Sequence, residues 1–171
     1  MAHDDGQLYW HDPDPRAVFP LERLVPNDRL RTFIHSHRYQ NTVDESFEAV
    51  MRGCADRTST WITEEMIQVY TELHRLGFAH SVETWKDGEL IGGIYGISIG
   101  AAFFGESMFS RKTNASKAAF YHLAKHLRHK AFTIFDSQYI NDHTRLLGAV
   151  EIARDKFGLL LAGAIASNTH F

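Results

Sequence analysis

Asp87-Gly88 constrains this chain more than any other pair of residues. A two-residue hairpin of type I′ needs positive φ at both central positions, and Asp-Gly meets that demand. The pair is flanked by AHSVETWK and ELIGGIYGISI, runs rich in β-branched and aromatic residues. Gly100 supplies a second turn into AAFFGESMFS, so a three-stranded meander is predicted. FTIFD, ending at Asp136, reads as one more buried strand. Between them Phe120, Leu123, Ala124, Leu127 and Ala131 form a helical face, with Asn114 or Thr113 as its cap. Meander, helix, strand is an α+β order, and the helical crossover sets the last strand parallel to a neighbour.

Upstream, Phe47, Val50, Met51 and Cys54 predict a helix over 44–52, capped by Thr42 or Asp44. Thr63 caps the next one, with Glu64 and Glu65 in the first turn, where the dipole favours negative charge. Its stripe is Met66, Tyr70, Leu73 and Leu76, and Gly77 closes it. Short helices are expected from His143 and Arg154. The late run LLLAGAIA is too short to span a bilayer and is read as a core segment. Pro13, Pro15, Pro20 and Pro26 predict an arm over 1–28 that runs extended across the surface. One domain is expected, with arm and basic segment over 1–42 and the core over 43–171.

A net charge of -3 excludes wholesale coating of nucleic acid. It leaves room for a local patch: Arg29, Arg31, His35, His37 and Arg38 form either a solvated face or a phosphate-contacting one. The single Cys54 cannot close an internal disulfide. The acidic N-terminus lacks the apolar core of a signal peptide, so a cytoplasmic protein is expected. His122 and His126 have helical metal-ligand spacing, but no HExxH or neighbouring cysteine accompanies them, and no metal is expected.

Candidate chemistry lies in the central stretch. Glu106 stands between Phe104 and Met108, and Asp136 follows Phe135, with Gln138 two residues on. Burying such groups costs several kcal/mol unless they are paired or used. Two carboxylates and an amide beside an apolar wall could hold a cationic substrate or accept a proton from an amine. Equally, Asp136 could cap a loop and Glu106 could pair with Arg111. Gly92, Gly93, Gly96 and Gly105 interrupt adjacent strands, which suggests a groove. The layout is that of a GNAT-like N-acyltransferase, a mixed sheet with flanking helices. The glycines of an acyl-CoA loop are missing from Arg111 to Ser116, so a different activated acyl donor is expected.

The chain resembles the leucyl/phenylalanyl-tRNA–protein transferase family. The matching segments are YWHDPDPRAVF, TWI, AHSVETW, GGIYGI, FFGESMFSR, NASK, FDSQ and NDHTRLLGA, in order across nearly the whole sequence. FFGESMFSR followed by NASK is the most specific of these. The family's usual preceding segment, with a GIFPWF-like motif, does not stand ahead of DPDPR.

The resemblance implies transfer of Leu or Phe from aminoacyl-tRNA to the α-amine of proteins beginning with Arg or Lys. Aminoacyl-tRNA is then a co-substrate and no other cofactor is needed. Asp136 and Gln138 would handle the attacking amine, and Glu106 would help to recognise it. The resemblance puts Ile94, Phe103, Met108, Phe120, Leu123, Leu127 and Phe135 around the amino-acid side chain. Trp61 would face the aminoacyl-adenosine, and the Arg29–Arg38 cluster would contact the tRNA acceptor stem. A monomer is favoured. Two alternatives stay open: a related transferase acting on a small amine or peptide, and a module that binds tRNA ends or N-termini without transfer.

Overall fold

The computed structural model describes residues 11–171. Its frame is one sheet of seven strands: β1 (Arg16–Val18), β2 (Gln40–Val43), β3 (Ala79–Lys86), β4 (Glu89–Ile99), β5 (Ala102–Ser110), β6 (Ile134–Gln138) and β7 (Val150–Ile152). Their spatial order is β2-β3-β4-β5-β6-β1-β7. β5 and β6 run parallel, and the other neighbours are antiparallel. Six α-helices flank the sheet: α1 (Asp28–Ser36), α2 (Phe47–Ala55), α3 (Glu64–Arg75), α4 (Ala115–His129), α5 (Asp142–Leu146) and α6 (Arg154–Ile165). The architecture is therefore mixed α+β, as expected.

The meander forms where the turn chemistry places it. Asp87 and Gly88 have φ of 52° and 79°, and Gly100 turns β4 into β5 with φ of 54°. Strand alternation then sorts β4 between two cores. Ile94 joins Val82 and α4, whereas Tyr95 joins α2 and α3. On α4, Phe120, Leu123, Ala124 and Leu127 are all buried. Each large side chain among them contributes roughly 1.5–3 kcal/mol by leaving water. Ala131 lies beyond the helix, exposed and with φ of 59°, so it is not part of that face.

The expected glycine groove is corrected at three positions. A Cβ at Gly92 would lie 2.7 Å from Ala115 Cβ, one at Gly93 2.9 Å from a Val50 methyl, and one at Gly96 2.2 Å from the Phe104 carbonyl. These glycines let α4, α2 and β5 approach closely, and of the four strand glycines Gly105 alone borders the cavity described below.

Beyond Pro15 the proline-rich arm does not stay on the surface. Part of that stretch, residues 1–10, falls outside the described residues. From Arg16 the chain enters the sheet as β1, between β6 and β7. Pro15 and Pro20 flank the strand rather than interrupt it, so the amides of 16–19 remain free to pair. Phe19 N–H donates to the Phe135 carbonyl at 2.8 Å, and Phe19, Leu21 and Leu24 sink into the α4 core. Pattern reading missed β1, β2 and β7 because each has only three or four residues.

Three helix boundaries or faces also differ. α2 begins at Phe47 rather than Asp44, because Asp44 takes φ of 59° and spends its carboxylate on the Ser81 amide and His80. α3 keeps the expected Thr63 cap, whose hydroxyl accepts from Met66 N–H, but Ile67 is its fully buried residue and Leu76 is 62% exposed. α6 is no core segment: Phe157 and Ala164 are buried, while Leu159 and Leu160 face outward.

Candidate active site

The site arises where the two parallel strands part. β5 and β6 pair at Ala102–Ile134, Phe103–Phe135 and Phe104–Asp136. Beyond that point β5 follows β4 to Ser110, whereas β6 follows β1 to Gln138. Between the diverging edges lies a cavity of about 640 Å³, bordered by Glu106 on one edge and Asp136 and Gln138 on the other. Ile94, Met108 and Phe135 supply its apolar wall, joined by Phe19. Phe103, Phe120, Leu123 and Leu127 do not border the cavity; they pack behind Ile94 and Phe135 in the same core and set its shape. Trp61 lies off the cavity, half-buried against the α2–α3 core.

Asp136 is wholly buried and fully engaged. Arg16 donates from Nε to Oδ1 at 2.9 Å and from Nη2 to Oδ2 at 2.8 Å. Gln138 donates from its backbone to Oδ1 and from Nε2 to Oδ2, both at 3.2 Å. Burial pulls the Arg16 guanidinium down, but its hydrogen bonds and attraction to Asp136 outweigh that and raise it.

Glu106 has the opposite surroundings. Desolvation first, and the charge of Asp136 second, push its carboxyl up to about 7, opposed by Arg16 and by a hydrogen bond from Tyr70. It does not pair with Arg111, which instead faces Asp56 at 3.6 Å. Two guanidinium groups stand at the rim, Arg57, which donates to the Met108 carbonyl, and Arg111, and the His143 imidazole borders the opening beside them. Burial, then the charges of Lys117 and Arg57, lower the His143 imidazole.

The basic cluster sits elsewhere. Arg29, Arg31, His35, His37 and Arg38 are all exposed along and just beyond α1. Arg31 pairs with Asp28, and the His37 ring stacks on Phe33 at 3.8 Å. Arg29 shares a smaller groove of about 440 Å³ with Lys117, Phe33 and Tyr121.

At the start of α4, Asn114 adopts φ of 61° and makes no side-chain cap. Ser116 N–H donates instead to Ser110 Oγ at 3.2 Å, which uses one amide that an acyl-CoA loop would aim at phosphate. Metal-ligand chemistry among the described residues gathers at Asp44, His74 and His80, away from the cavity. Their atoms are already engaged: His80 Nδ1 bonds Asp44 at 2.7 Å, and His74 Nδ1 bonds the Ala79 carbonyl at 2.8 Å.

Comparison with known proteins gives this geometry a context. The family model described as leucyl/phenylalanyl-tRNA protein transferase matches residues 18–162. A curated protein of that name from Gloeobacter violaceus is 49% identical over 97% of this chain and 86% of its own length. Its counterpart from Paramagnetospirillum magneticum is 48% identical over 99% of this chain and 83% of its own.

The chain belongs to the leucyl/phenylalanyl-tRNA protein transferase family.

A solved structure of a conserved protein of unknown function from Bacteroides thetaiotaomicron resembles it in fold, with TM-score 0.52 at 10% identity. That likeness covers 80% of this chain and 54% of the other. Within this family member, sequence reasoning passed over Arg16 and Tyr70 as site residues. Arg16 stood in the quoted DPDPR motif, and a cation there was the available signal for a buried carboxylate partner. Tyr70 was assigned to a core stripe, and nothing in its spacing points to Glu106.

Proposed function

We propose that this chain moves a leucyl- or phenylalanyl-sized aminoacyl group from the 3′ adenosine of a tRNA to the α-amine of a protein beginning with Arg or Lys. The observation that carries the reading is the placement of Gln138 and Glu106 on facing edges of one cavity with an apolar wall. The wall takes the amino-acid side chain. The incoming α-ammonium, ordinarily near pKa 7.7–8.0, must lose a proton before it attacks. Glu106, pushed up to about 7, is matched to take it. The amine nitrogen then bonds to the ester carbonyl carbon, the bond to the 3′ oxygen breaks, and that oxygen leaves with the second proton that the amine gives up. Gln138 offers a carbonyl oxygen to the remaining amine hydrogen.

The ester is already activated, so positioning and proton transfer suffice, without ATP, CoA or a metal. The parted parallel pair joined by the α4 crossover supports a GNAT-like reading of the sheet. The exposed cations of α1 and the groove holding Arg29 and Lys117 support contact with tRNA phosphates. No helix among the described residues is long and apolar enough to cross a membrane, and a monomer working in the cytoplasm fits a tRNA substrate.

The test is transfer of radiolabelled Leu or Phe from charged tRNA to peptides beginning with Arg, Lys or Met. Label on the Arg and Lys peptides alone is the expected result. Labelling of small amines instead would identify a different acceptor, and tRNA binding without turnover would identify a binding module.

A further inference from the structure

We propose that Arg16 is a positioning residue for the transfer reaction, acting on substrate through Asp136 and Gln138. The inference rests on the function proposed above. An ionised carboxylate offers about four lone-pair sites and no donor. All four at Asp136 are taken: Arg16 Nε and the Gln138 backbone on Oδ1, Arg16 Nη2 and Gln138 Nε2 on Oδ2. Asp136 is therefore an anchor with no site left for the proton of an amine. Because it can only accept, the Gln138 amide must turn its NH₂ towards it. Oε1 of Gln138 has no partner among the described residues and remains for the acceptor amine.

Arg16 sets this orientation from a distant part of the chain. It arrives on β1, which pairs with β6 at Val18–Asp136 and Ala17–Gln138. Its guanidinium, 13% exposed, lies 4.7 Å from the centre of the Phe157 ring on α6. The fork is thus held from behind by an aromatic face and from the front by the carboxylate. Without it, the buried Asp136 loses its counter-charge. A buried charge without a partner is costly, so its carboxylate is driven to rotate towards water and away from the Gln138 amide. Gln138 is then free to flip and present NH₂ to an amine that needs an acceptor. The loss falls on the chemical step, because Arg16 does not border the cavity.

The experiment is steady-state transfer by the intact chain, with Phe-tRNA as donor and an Arg-starting peptide as acceptor. Arg16→Ala should lower kcat about 100-fold, the scale on which misplacing a reacting group acts, with KM for Phe-tRNA changed less than about threefold. Arg16→Lys keeps the charge without the fork and should recover part of kcat. If Arg16 acts through Asp136, the Arg16→Ala/Asp136→Ala double variant should be no slower than Asp136→Ala alone. Should Arg16→Ala not fold, Phe157→Leu loosens the guanidinium more gently and should lower kcat about fivefold.

The ¹⁵N side-chain amide signals of Gln138 give a readout independent of turnover. They should shift in Arg16→Ala, and this tests the coupling even if the wild type transfers nothing. Unchanged kcat in Arg16→Ala, penalties that multiply in the double variant, or unmoved Gln138 signals would each overturn the proposal. A wild type without transfer but with Gln138 signals that answer to Arg16 would reject the proposed function alone.

Discussion

Asp136 and Glu106 border one cavity from facing strands, yet Asp136 has every acceptor position filled while Glu106 leans on one tyrosine. The difference follows from the strands that carry them. β6 has β1 alongside it, and β1 brings a guanidinium to the carboxylate at hydrogen-bond distance. β5 has β4 alongside, whose nearby residues are Tyr95 and the close-packed Gly96, and neither offers a cation. A paired carboxylate anchors, and a desolvated one titrates near neutrality. Two acidic residues with the same sequence signature, a carboxylate within an apolar strand, thus take different parts.

The strongest way to break the contrast is to remove the anchor. Asp136→Ala should leave the Arg16 guanidinium buried without its partner and cost about 3–5 kcal/mol, read as a lowered urea midpoint. Transfer should fall with it, while binding of tRNA, whose expected contacts lie on α1, persists. Gln138→Ala keeps Arg16 and Asp136 paired, so it should lower transfer about 100-fold with little change in stability.

Removing the other carboxylate should act with opposite sign. The Glu106 carboxyl is raised from 4.5 to about 7, so the folded protein holds its proton to higher pH than the unfolded chain. Stability from this group is complete below about pH 4.5 and is lost as pH rises through 7. Glu106→Gln should therefore match the parent at pH 4 and exceed it at pH 8 by about 2 kcal/mol, after allowance for partial exposure. Calorimetric melting at the two pH values checks this. The same group predicts an acid limb near pH 7 in kcat/KM. The smallest effect is expected from Tyr70→Phe, which removes the hydrogen bond that lowers Glu106. It should move that limb upward by less than about one unit.

The legible parts of the sequence were those with dense local signals. Asp87-Gly88 specifies its turn by backbone geometry alone, and Phe120, Leu123 and Leu127 specify a face by spacing alone. Asp136 and Gln138 were visible as polar residues at the end of an apolar strand. What stayed hidden needed partners far along the chain. Nothing within three residues of Arg16 announces a strand whose neighbours lie more than a hundred residues away. The apolar run in α6 misled for a related reason. Its composition is that of a core helix, but only one face, Phe157, Leu161 and Ala164, packs against the sheet, while Leu159 and Leu160 are exposed.

The position of β1 also sets an order of events. During synthesis Arg16 emerges long before the strands that flank it, β6 at Ile134–Gln138 and β7 at Val150–Ile152. The meander and α4 can assemble as each is made, because their contacts are local. β1 must wait for its first strand partner until the chain has grown past residue 138, and for its second until past residue 152. The clamp on Asp136 therefore closes only after the meander and α4 have been made, so a nascent or truncated chain can carry β2 to β5 before it has an ordered Gln138.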